Sequence, residues 1–266
     1  MSIPKPYYEN AAMKLYHGDA LELLPKFEAG AFAMAFTDPP YGHNNNNGDL
    51  ISNIERALGK KDTGRQNREP RPIPNDGAEA TPLFEAFLVE AKKLRCCCCC
   101  CCGGGGGPDP QFARWSLILD KHFDFCQMVV WDKGPIGLGW HYRRSYETVL
   151  VGYAKGLKRK PFFDNSHKIE NIIRPTDGIR KIIPSAADHP TPKPPELAAR
   201  FIRCHSKPGD TIMDPFAGGG STGIAAMRTG RKAVLIELEE RFCELAAKRL
   251  EAESSTCSTR STRPTN

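Results

Sequence analysis

Two short segments of the chain combine residue types that can do chemistry. The first, Asp38-Pro39-Pro40-Tyr41, joins a carboxylate, a rigid turn and an aromatic ring. The second, at residues 214–220, joins an acidic turn to a glycine-rich loop. Each segment follows an apolar run, so each is predicted at the carboxyl end of a buried strand, where open α/β sheets bind their ligands.

The first segment suits chemistry on an exocyclic amine of a nucleobase. Such an amine is a poor nucleophile because its lone pair is delocalised into the ring. The Asp38 carboxylate and the Pro39 carbonyl can accept both amine hydrogens and release that lone pair, and Pro39 and Pro40 keep the acceptors rigid. Tyr41 offers a face for a base taken out of the duplex stack. An ordinary structural turn is the alternative, because Asp-Pro-Pro is also a good turn sequence.

The second segment is predicted to bind a cofactor. Residues 218–223 match Gly-x-Gly-x-x-Gly between a strand and a helix, a pattern that alone fits any nucleotide cofactor. The Asp214 carboxylate would attract a cationic amino group and sulfonium but repel a pyrophosphate, and Phe216 offers an aromatic wall for a sulfonium. Glu237, which ends the next strand, is placed to bind ribose hydroxyls. A tight turn without a ligand is the alternative.

Apolar periodicity predicts the elements that position these segments. Predicted strands lie at 13–16, 31–37, 96–102, 126–131, 146–154, 211–213 and 233–236. Predicted helices lie around 21–24 and at 82–94, 111–122, 194–202, 221–228 and 239–250. The βαβα order of the last third implies a parallel sheet with right-handed crossovers.

Length and composition indicate a single domain. A chain of 266 residues with 40% hydrophobic residues can form one α/β core, which we place at residues 1–250. Residues 44–81 are polar and hold an asparagine run, so they are predicted to form a long mobile loop. Residues 251–266 are rich in serine and threonine and are predicted to form a flexible tail.

Several classes of protein are excluded by composition. No apolar run approaches the roughly 20 residues that a membrane helix needs. The amino terminus lacks an export signal, so a cytoplasmic location is expected. Seven consecutive cysteines at Cys96–Cys102 cannot form a disulfide scaffold and lack the spacing of a metal site, so we interpret them as a buried strand that the glycines at 103–107 follow. No metal is expected.

The two segments, in this order, resemble the β-class amino-methyltransferases of DNA, a circularly permuted class in which the catalytic tetrad precedes the cofactor loop. The resemblance covers residues 14–42 and roughly 186–250. Asp19 resembles the family's acidic turn near the cofactor adenine, and Lys193 lies in a His-Pro-Thr-Pro-Lys-Pro segment like the one that leads into the family's cofactor-binding helix.

The resemblance implies the fold, the cofactor and the reaction. The fold is expected to be a Rossmann-like methyltransferase with a mostly parallel central sheet and helices on both faces. The implied cofactor is S-adenosylmethionine, and the implied product is N6-methyladenine or N4-methylcytosine in DNA, with the leading Asp38 favouring adenine. The candidate cofactor-binding residues are Asp19, Asp38, Lys193, Asp214, Phe216, Ala217, Gly218, Gly220, Ser221, Thr222 and Glu237.

Double-stranded DNA is the expected partner. The chain carries a formal charge of +6, and residues 155–190 include a basic stretch that we interpret as the target-recognition segment, with a solvated surface loop as the alternative. The loop at 44–81 follows the predicted catalytic turn, Asp38–Tyr41, and is predicted to close over DNA. The candidate DNA-binding residues are Arg143, Arg144, Lys158, Arg159, Lys160, Lys168 and Arg174.

The same sequence features are compatible with other functions. The glycine pattern can also serve a nicotinamide oxidoreductase, and a DNA-binding regulator can retain a methyltransferase scaffold without its activity. The same tetrad chemistry can methylate RNA or protein amides. Both a monomer and a homodimer are compatible with the sequence.

Overall fold

The structure is a computed structural model that describes residues 2–42, 73–94, 97–102, 111–136, 145–156, 162–164, 166, 168–179 and 192–261. The candidate DNA-binding residues Arg143, Arg144, Lys158, Arg159 and Lys160 lie outside these ranges, as do Cys96 and most of the predicted 44–81 loop.

The described elements are strands and helices that alternate along much of the chain. The strands are β1 (Tyr8–Glu9), β2 (Met13–His17), β3 (Met34–Thr37), β4 (Cys97–Cys102), β5 (Phe123–Asp132), β6 (Tyr146–Ala154), β7 (Ile172–Ile173), β8 (Thr211–Asp214) and β9 (Lys232–Glu237). The α-helices are α1 (Ala20–Leu23), α2 (Ala80–Lys93), α3 (Gln111–His122), α4 (Pro195–His205), α5 (Ser221–Arg228) and α6 (Glu240–Ser261).

The described strands form one sheet in the order β1-β2-β9-β8-β3-β4-β6-β5-β7. Five of its neighbouring pairs are parallel, and three are antiparallel: β1 with β2, β4 with β6, and β5 with β6. The predicted mostly parallel α/β sheet is confirmed. The direction of β6 was not predicted, and it matters for the site because the start of β6 lies beside the ends of the parallel strands.

Both faces of the sheet are buried under helices. In β9, Ala233 and Leu235 pack into a core that includes residues of α4, α5 and α6. The alternating residues Val234 and Ile236 pack into a second core with residues of α1, α2 and α3. Burial of both faces explains why these strands read as continuous apolar runs rather than as an alternation.

The cysteine run forms the predicted strand. Cys100 pairs with Thr37 of β3 in the parallel direction, and Cys102 pairs with Thr148 of β6 in the antiparallel direction. β4 therefore has a neighbour on each side and lies inside the sheet.

The predicted carboxyl end of the last helix is wrong. Instead of ending at Leu250, α6 continues to Ser261. The extra turns have partners: the Tyr8 hydroxyl donates to Glu251 at 2.7 Å, and Arg228 pairs with Glu253 at 2.7 Å. The division into a 1–250 domain and a flexible 251–266 tail stays a prediction. None of the described helices is long and apolar enough to cross a membrane.

Candidate active site

The two chemical segments meet at one edge of the sheet. β3 and β8 are parallel neighbours in which Met34 pairs with Ile212 and Ala35 with Met213, so both strands end on the same side. The Thr37 hydroxyl, directly before the catalytic turn, donates to Asp214 Oδ1 at 2.8 Å. The strand order therefore brings together segments that lie more than 170 residues apart in the chain.

A solvent-open cleft of about 1240 Å³ lies between the two segments. The predicted residues that line it are Asp19, Asp38, Pro39, Pro40, Tyr41, Lys193, Asp214, Phe216, Ala217, Gly218, Ser221, Thr222 and Glu237. Gly220 does not line it; Gly219 does. Gly220 instead precedes α5 with a φ of 77°, in the left-handed region, and a Cβ there would lie 3.1 Å from Ala246 Cβ of α6.

The glycine-rich loop within residues 214–220, which is the predicted cofactor loop, is held by the strand ends beside it. Ala217 N donates to the Ile236 carbonyl at 2.9 Å, and Gly218 N donates to Glu237 Oε2 at 2.7 Å. On the far side of β9, His17 pairs with Glu237, so the turn at Asp19 enters the same cleft. Asp19 Oδ1 accepts a hydrogen bond from Leu21 N at 2.7 Å and thereby caps α1.

Two buried acids give this end of the cleft an affinity for a cation. Burial raises the pKa of Asp214 to about 6, although hydrogen bonds from Thr222 and Thr37 oppose the shift. Burial likewise raises the pKa of Glu237. Among the described residues that line the cleft, the basic side chain is Lys193, which contacts Asp38 instead. S-adenosylmethionine carries a net positive charge, so this set of residues fits it, whereas a pyrophosphate would face two carboxylates.

The catalytic turn presents a restrained carboxylate. The Tyr41 hydroxyl donates to Asp38 Oδ1, and Lys193 Nζ donates to Asp38 Oδ2 at 2.7 Å. Lys193 Nζ also lies 5.2 Å from the centroid of the Tyr41 ring. Burial raises the pKa of Asp38 to about 6, since it outweighs the lowering effect of Lys193 and is reinforced by Glu147 and Asp214. Lys193 thus contacts Asp38, the candidate catalytic residue, and its predicted binding of the cofactor stays a prediction.

Two charged residues that the sequence did not single out extend this contact. Glu147, near the start of β6, has its Oε2 atom 3.6 Å from Lys193 Nζ, and Lys133 Nζ donates to its Oε1 atom at 2.9 Å. Asp38, Lys193, Glu147 and Lys133 therefore form a row of alternating charges. The signal in the sequence is a single acid at the head of an apolar strand, which becomes informative only once β6 is known to be antiparallel.

Asp76 is a further residue that the sequence did not identify. Its Oδ1 atom accepts hydrogen bonds from Tyr41 N at 2.8 Å and from Gly42 N at 2.9 Å, and the residue is only 2% exposed. It lies in an Asn-Asp-Gly turn before α2, a sequence that a turn alone explains. Its position indicates that it holds the backbone of the catalytic turn.

We expect Asp76→Ala to lower kcat about thirtyfold, because two partly buried amide donors lose their acceptor and the turn relaxes. The dissociation constant for S-adenosylmethionine should change less than about twofold, since the amide groups that Asp76 holds belong to Tyr41 and Gly42. Steady-state kinetics and calorimetric titration measure both quantities. Asp76→Asn, which retains an oxygen acceptor, should recover most of the rate; equal rates for wild type and Asp76→Ala would exclude the assignment.

The described members of the candidate DNA-binding set lie outside the cleft. Lys168 is exposed, and Arg174 pairs with Glu170 directly after β7. β7 is parallel to β5, with Val130 paired to Ile172, and β5 runs in the same direction as β4 because both are antiparallel to β6. Arg174 therefore lies at the edge of the sheet that carries the catalytic turn. DNA binding by these residues stays a prediction.

The fold and the cleft define a class of proteins: methyltransferases that combine a cationic methyl donor with an amine acceptor held by an Asp-Pro-Pro-Tyr turn. Residues 32–248, most of the chain, match the N6/N4 methyltransferase family of DNA methylases. The chain belongs to this family, and the predicted cofactor, S-adenosylmethionine, is confirmed with it.

Similar proteins span nearly the whole chain. The type II methyltransferase M2.DpnII of Streptococcus pneumoniae is 28% identical, over 95% of this chain and 94% of its own. The DNA adenine methyltransferase YhdJ of Escherichia coli (strain K12) is 26% identical, over 93% of this chain and 85% of its own. Among solved structures, the cytosine-N4-specific PvuII DNA methyltransferase has a TM-score of 0.69 at 19% identity and covers 94% of this chain and 93% of its own. At this level of identity, the likeness shows that the two proteins share a fold.

Proposed function

We propose that this protein transfers the methyl group of S-adenosylmethionine to N6 of adenine in double-stranded DNA. The observation that carries the proposal is the hydrogen bond from Thr37 to Asp214, which fixes the catalytic turn against the cofactor loop across one cleft. An acceptor base and a methyl donor bound to these two segments share that cleft.

The residues of the chain account for each part of the transfer. When bound, S-adenosylmethionine supplies a methyl group that is attached to a positively charged sulfur. Loss of the methyl group converts the sulfonium into a neutral thioether, which is the leaving group. Asp214 and Glu237 attract the cationic cofactor, and the carboxylate of Asp38 and the carbonyl of Pro39 accept the amine hydrogens. As the nitrogen forms its bond to the methyl carbon and becomes positive, Asp38 stabilises that charge and accepts the proton. Positioning of the two reactants supplies much of the remaining acceleration.

Adenine is favoured over cytosine by two observations. The tetrad begins with Asp38 rather than with a serine. The relative YhdJ is named a DNA adenine methyltransferase and aligns with 93% of this chain. Cytosine N4 is the second candidate, because a cytosine-N4-specific enzyme shares the fold.

The rival functions are disfavoured by charge and by the intact site. A nicotinamide cofactor would place its pyrophosphate beside Asp214 and Glu237, two carboxylates that line the cleft. A DNA-binding regulator without activity does not require the hydrogen bond from Lys193 to Asp38 or the raised pKa of Asp38. Calorimetric titration with each cofactor separates the first rival, since only the methyltransferase should bind the sulfonium. The double-stranded form of the substrate, a cytoplasmic location and homodimerisation stay predictions.

The test is methylome sequencing of DNA from cells that express the wild-type protein or its Asp38→Ala variant. We expect N6-methyladenine at one recognition sequence with wild type and none with the variant. Detection of N4-methylcytosine would support cytosine N4 as the acceptor instead of adenine N6. An unmethylated genome would overturn the proposed function.

We also expect the rate to depend on pH through Asp38. Its pKa is raised from 3.8 to about 6, so below pH 6 the folded enzyme holds this carboxyl protonated and loses the acceptor charge. At saturating S-adenosylmethionine, kcat should fall about tenfold per pH unit below that value. Because the pKa of Asp38 is higher in the folded than in the unfolded chain, its contribution lowers the free energy of unfolding as the pH rises from 3.8 to about 6. A kcat that stays constant between pH 5 and pH 8 would contradict this role.

A further inference from the structure

We propose that Lys193 is a movable counter-ion that leaves Asp38 for Glu147 when the target base enters the cleft. In this structure Lys193 Nζ donates to Asp38 Oδ2 at 2.7 Å and lies 3.6 Å from Glu147 Oε2. The inference rests on the proposed function, since it concerns the acceptor that the substrate amine must reach. It assigns Lys193 and Glu147 as positioning residues that act through Asp38.

The substrate and Lys193 compete for the same carboxylate. Both oxygens of Asp38 already have a donor, the Tyr41 hydroxyl at Oδ1 and Lys193 at Oδ2. Displacement of an ammonium group from a carboxylate by a neutral amine is unfavourable because the charge-assisted hydrogen bond is the stronger one, and a second anion beside the ammonium group lowers that cost. As the amine accepts a methyl group it becomes positive, so an ammonium that stayed at Oδ2 would also repel the transition state.

Glu147 is prepared to receive the ammonium group. Its Oε2 atom is buried and has no hydrogen-bond partner among the described residues. A buried acceptor without a donor is unfavourable, so a new donor is favoured there. A displacement of about 1 Å would bring Lys193 Nζ to hydrogen-bonding distance of Oε2.

Glu147 is also held in place and kept charged. Lys133 Nζ donates to its other oxygen, Oε1, at 2.9 Å, and the Glu147 and Lys193 side chains are 17% and 10% exposed. Burial raises the pKa of Glu147, but the charges of Lys193 and Lys133 outweigh burial and leave the pKa lowered. The ammonium group of Lys193 is therefore paired with a carboxylate both before and after it moves, and the movement needs no proton transfer.

The test is a double-mutant cycle on the single-turnover rate, measured with saturating S-adenosylmethionine at pH 8.5, where Asp38 is charged. Glu147→Gln removes the receiving anion while keeping the shape, so the rate should fall about tenfold. In a Lys193→Met background there is no ammonium to receive, so adding Glu147→Gln should change the rate by less than about twofold. Cofactor affinity should not change in any of these variants, because the change acts at the base.

If Lys193 and Glu147 only stabilise the fold, the double-mutant cycle should give a different result. If Glu147 only stabilises the fold, its substitution lowers the rate by the same factor in both backgrounds, and that result overturns the proposal. An unchanged rate in Glu147→Gln alone also overturns it. Glu85→Gln is the matched control, because Glu85 pairs with Lys121 at 2.6 Å on the exposed side of α2 and does not line the cleft. If Glu147→Gln does not fold, Glu147→Asp, which keeps the charge but withdraws the carboxylate from Lys193 by one methylene, should lower the rate severalfold with Lys193 present and less than about twofold in the Lys193→Met background.

A pH profile gives a second readout. The charged groups that act on Asp38 are Lys193, Glu147 and Asp214, and the Tyr41 hydroxyl also contacts it. Because Lys193 lowers the pKa of Asp38, the acid limb of the Lys193→Met rate profile should move to higher pH. A profile that does not move contradicts the contact between Lys193 and Asp38. Absence of methylation by the wild-type protein would instead refute the proposed function, so the two failures are distinguishable.

Discussion

Substitution of Asp38 by alanine is expected to slow methyl transfer about a thousandfold or more, while the dissociation constant for S-adenosylmethionine changes less than about threefold. The loss is large because Asp38 is the acceptor at the reacting nitrogen and no other described carboxylate lies on the catalytic turn. Cofactor binding survives because the glycine-rich loop keeps its bonds to Ile236 and Glu237. Single-turnover rates and calorimetric titration measure the two quantities.

The matched control for this substitution is Asp124→Ala. Asp124 is exposed, and its carboxylate accepts a hydrogen bond from Gly156 N at 3.2 Å at the start of β5, the end of the sheet away from the catalytic turn. Its removal should leave both quantities unchanged. If Asp38→Ala methylated DNA as fast as Asp124→Ala, the assignment of the acceptor would be wrong.

Substitution of Asp214 by alanine should weaken S-adenosylmethionine binding about a hundredfold and reduce methyl transfer with it. Asp214 Oδ1 accepts from the Thr37 hydroxyl at 2.8 Å and from Phe216 N at 3.1 Å, so one carboxylate organises the cofactor loop and joins it to the catalytic turn. Alanine leaves both donors unpaired in a buried site and removes an anion that attracts the cofactor.

Asp210→Ala is the control on the same strand. Asp210 lies just before β8, at its opposite end, and its carboxylate accepts from Lys207 N at 2.7 Å. We expect normal cofactor affinity in this variant. Affinity that is equally reduced in Asp210→Ala and Asp214→Ala would mean that both act only through stability, and the binding role of Asp214 would be rejected. The thermal midpoint of each variant gives the stability directly.

The parts of the fold that could be predicted are those with a strong local signal. β8 and β9 are buried on both faces, so each reads as an apolar run, and each ends at a polar residue, Asp214 or Glu237. In a parallel sheet such ends meet at one edge, and this rule predicts that the cofactor loop lies beside the catalytic turn. The helix end at Leu250 was misplaced because contacts of Glu251 and Glu253 with distant residues extend α6.

The parts of the site that could not be predicted depend on contacts across long stretches of chain. Lys193 reaches Asp38 from 155 residues away, and Glu147 joins them only because β6 is antiparallel. Asp76 follows a long polar stretch and carries an ordinary turn sequence, so nothing local distinguishes it from a turn former. Charge pairs and backbone caps of this kind are set by the tertiary fold rather than by residue pattern.

The proposed methyl transfer requires one reaction centre that the catalytic turn and the cofactor loop share. A direct measurement mixes the purified protein and methyl-labelled S-adenosylmethionine with double-stranded DNA for a single turnover and separates the nucleosides. We predict label in N6-methyladenine with wild type and Glu85→Gln, and no label in DNA with Asp38→Ala or Asp214→Ala. Label on a ring carbon, or full transfer by Asp38→Ala, would contradict the account.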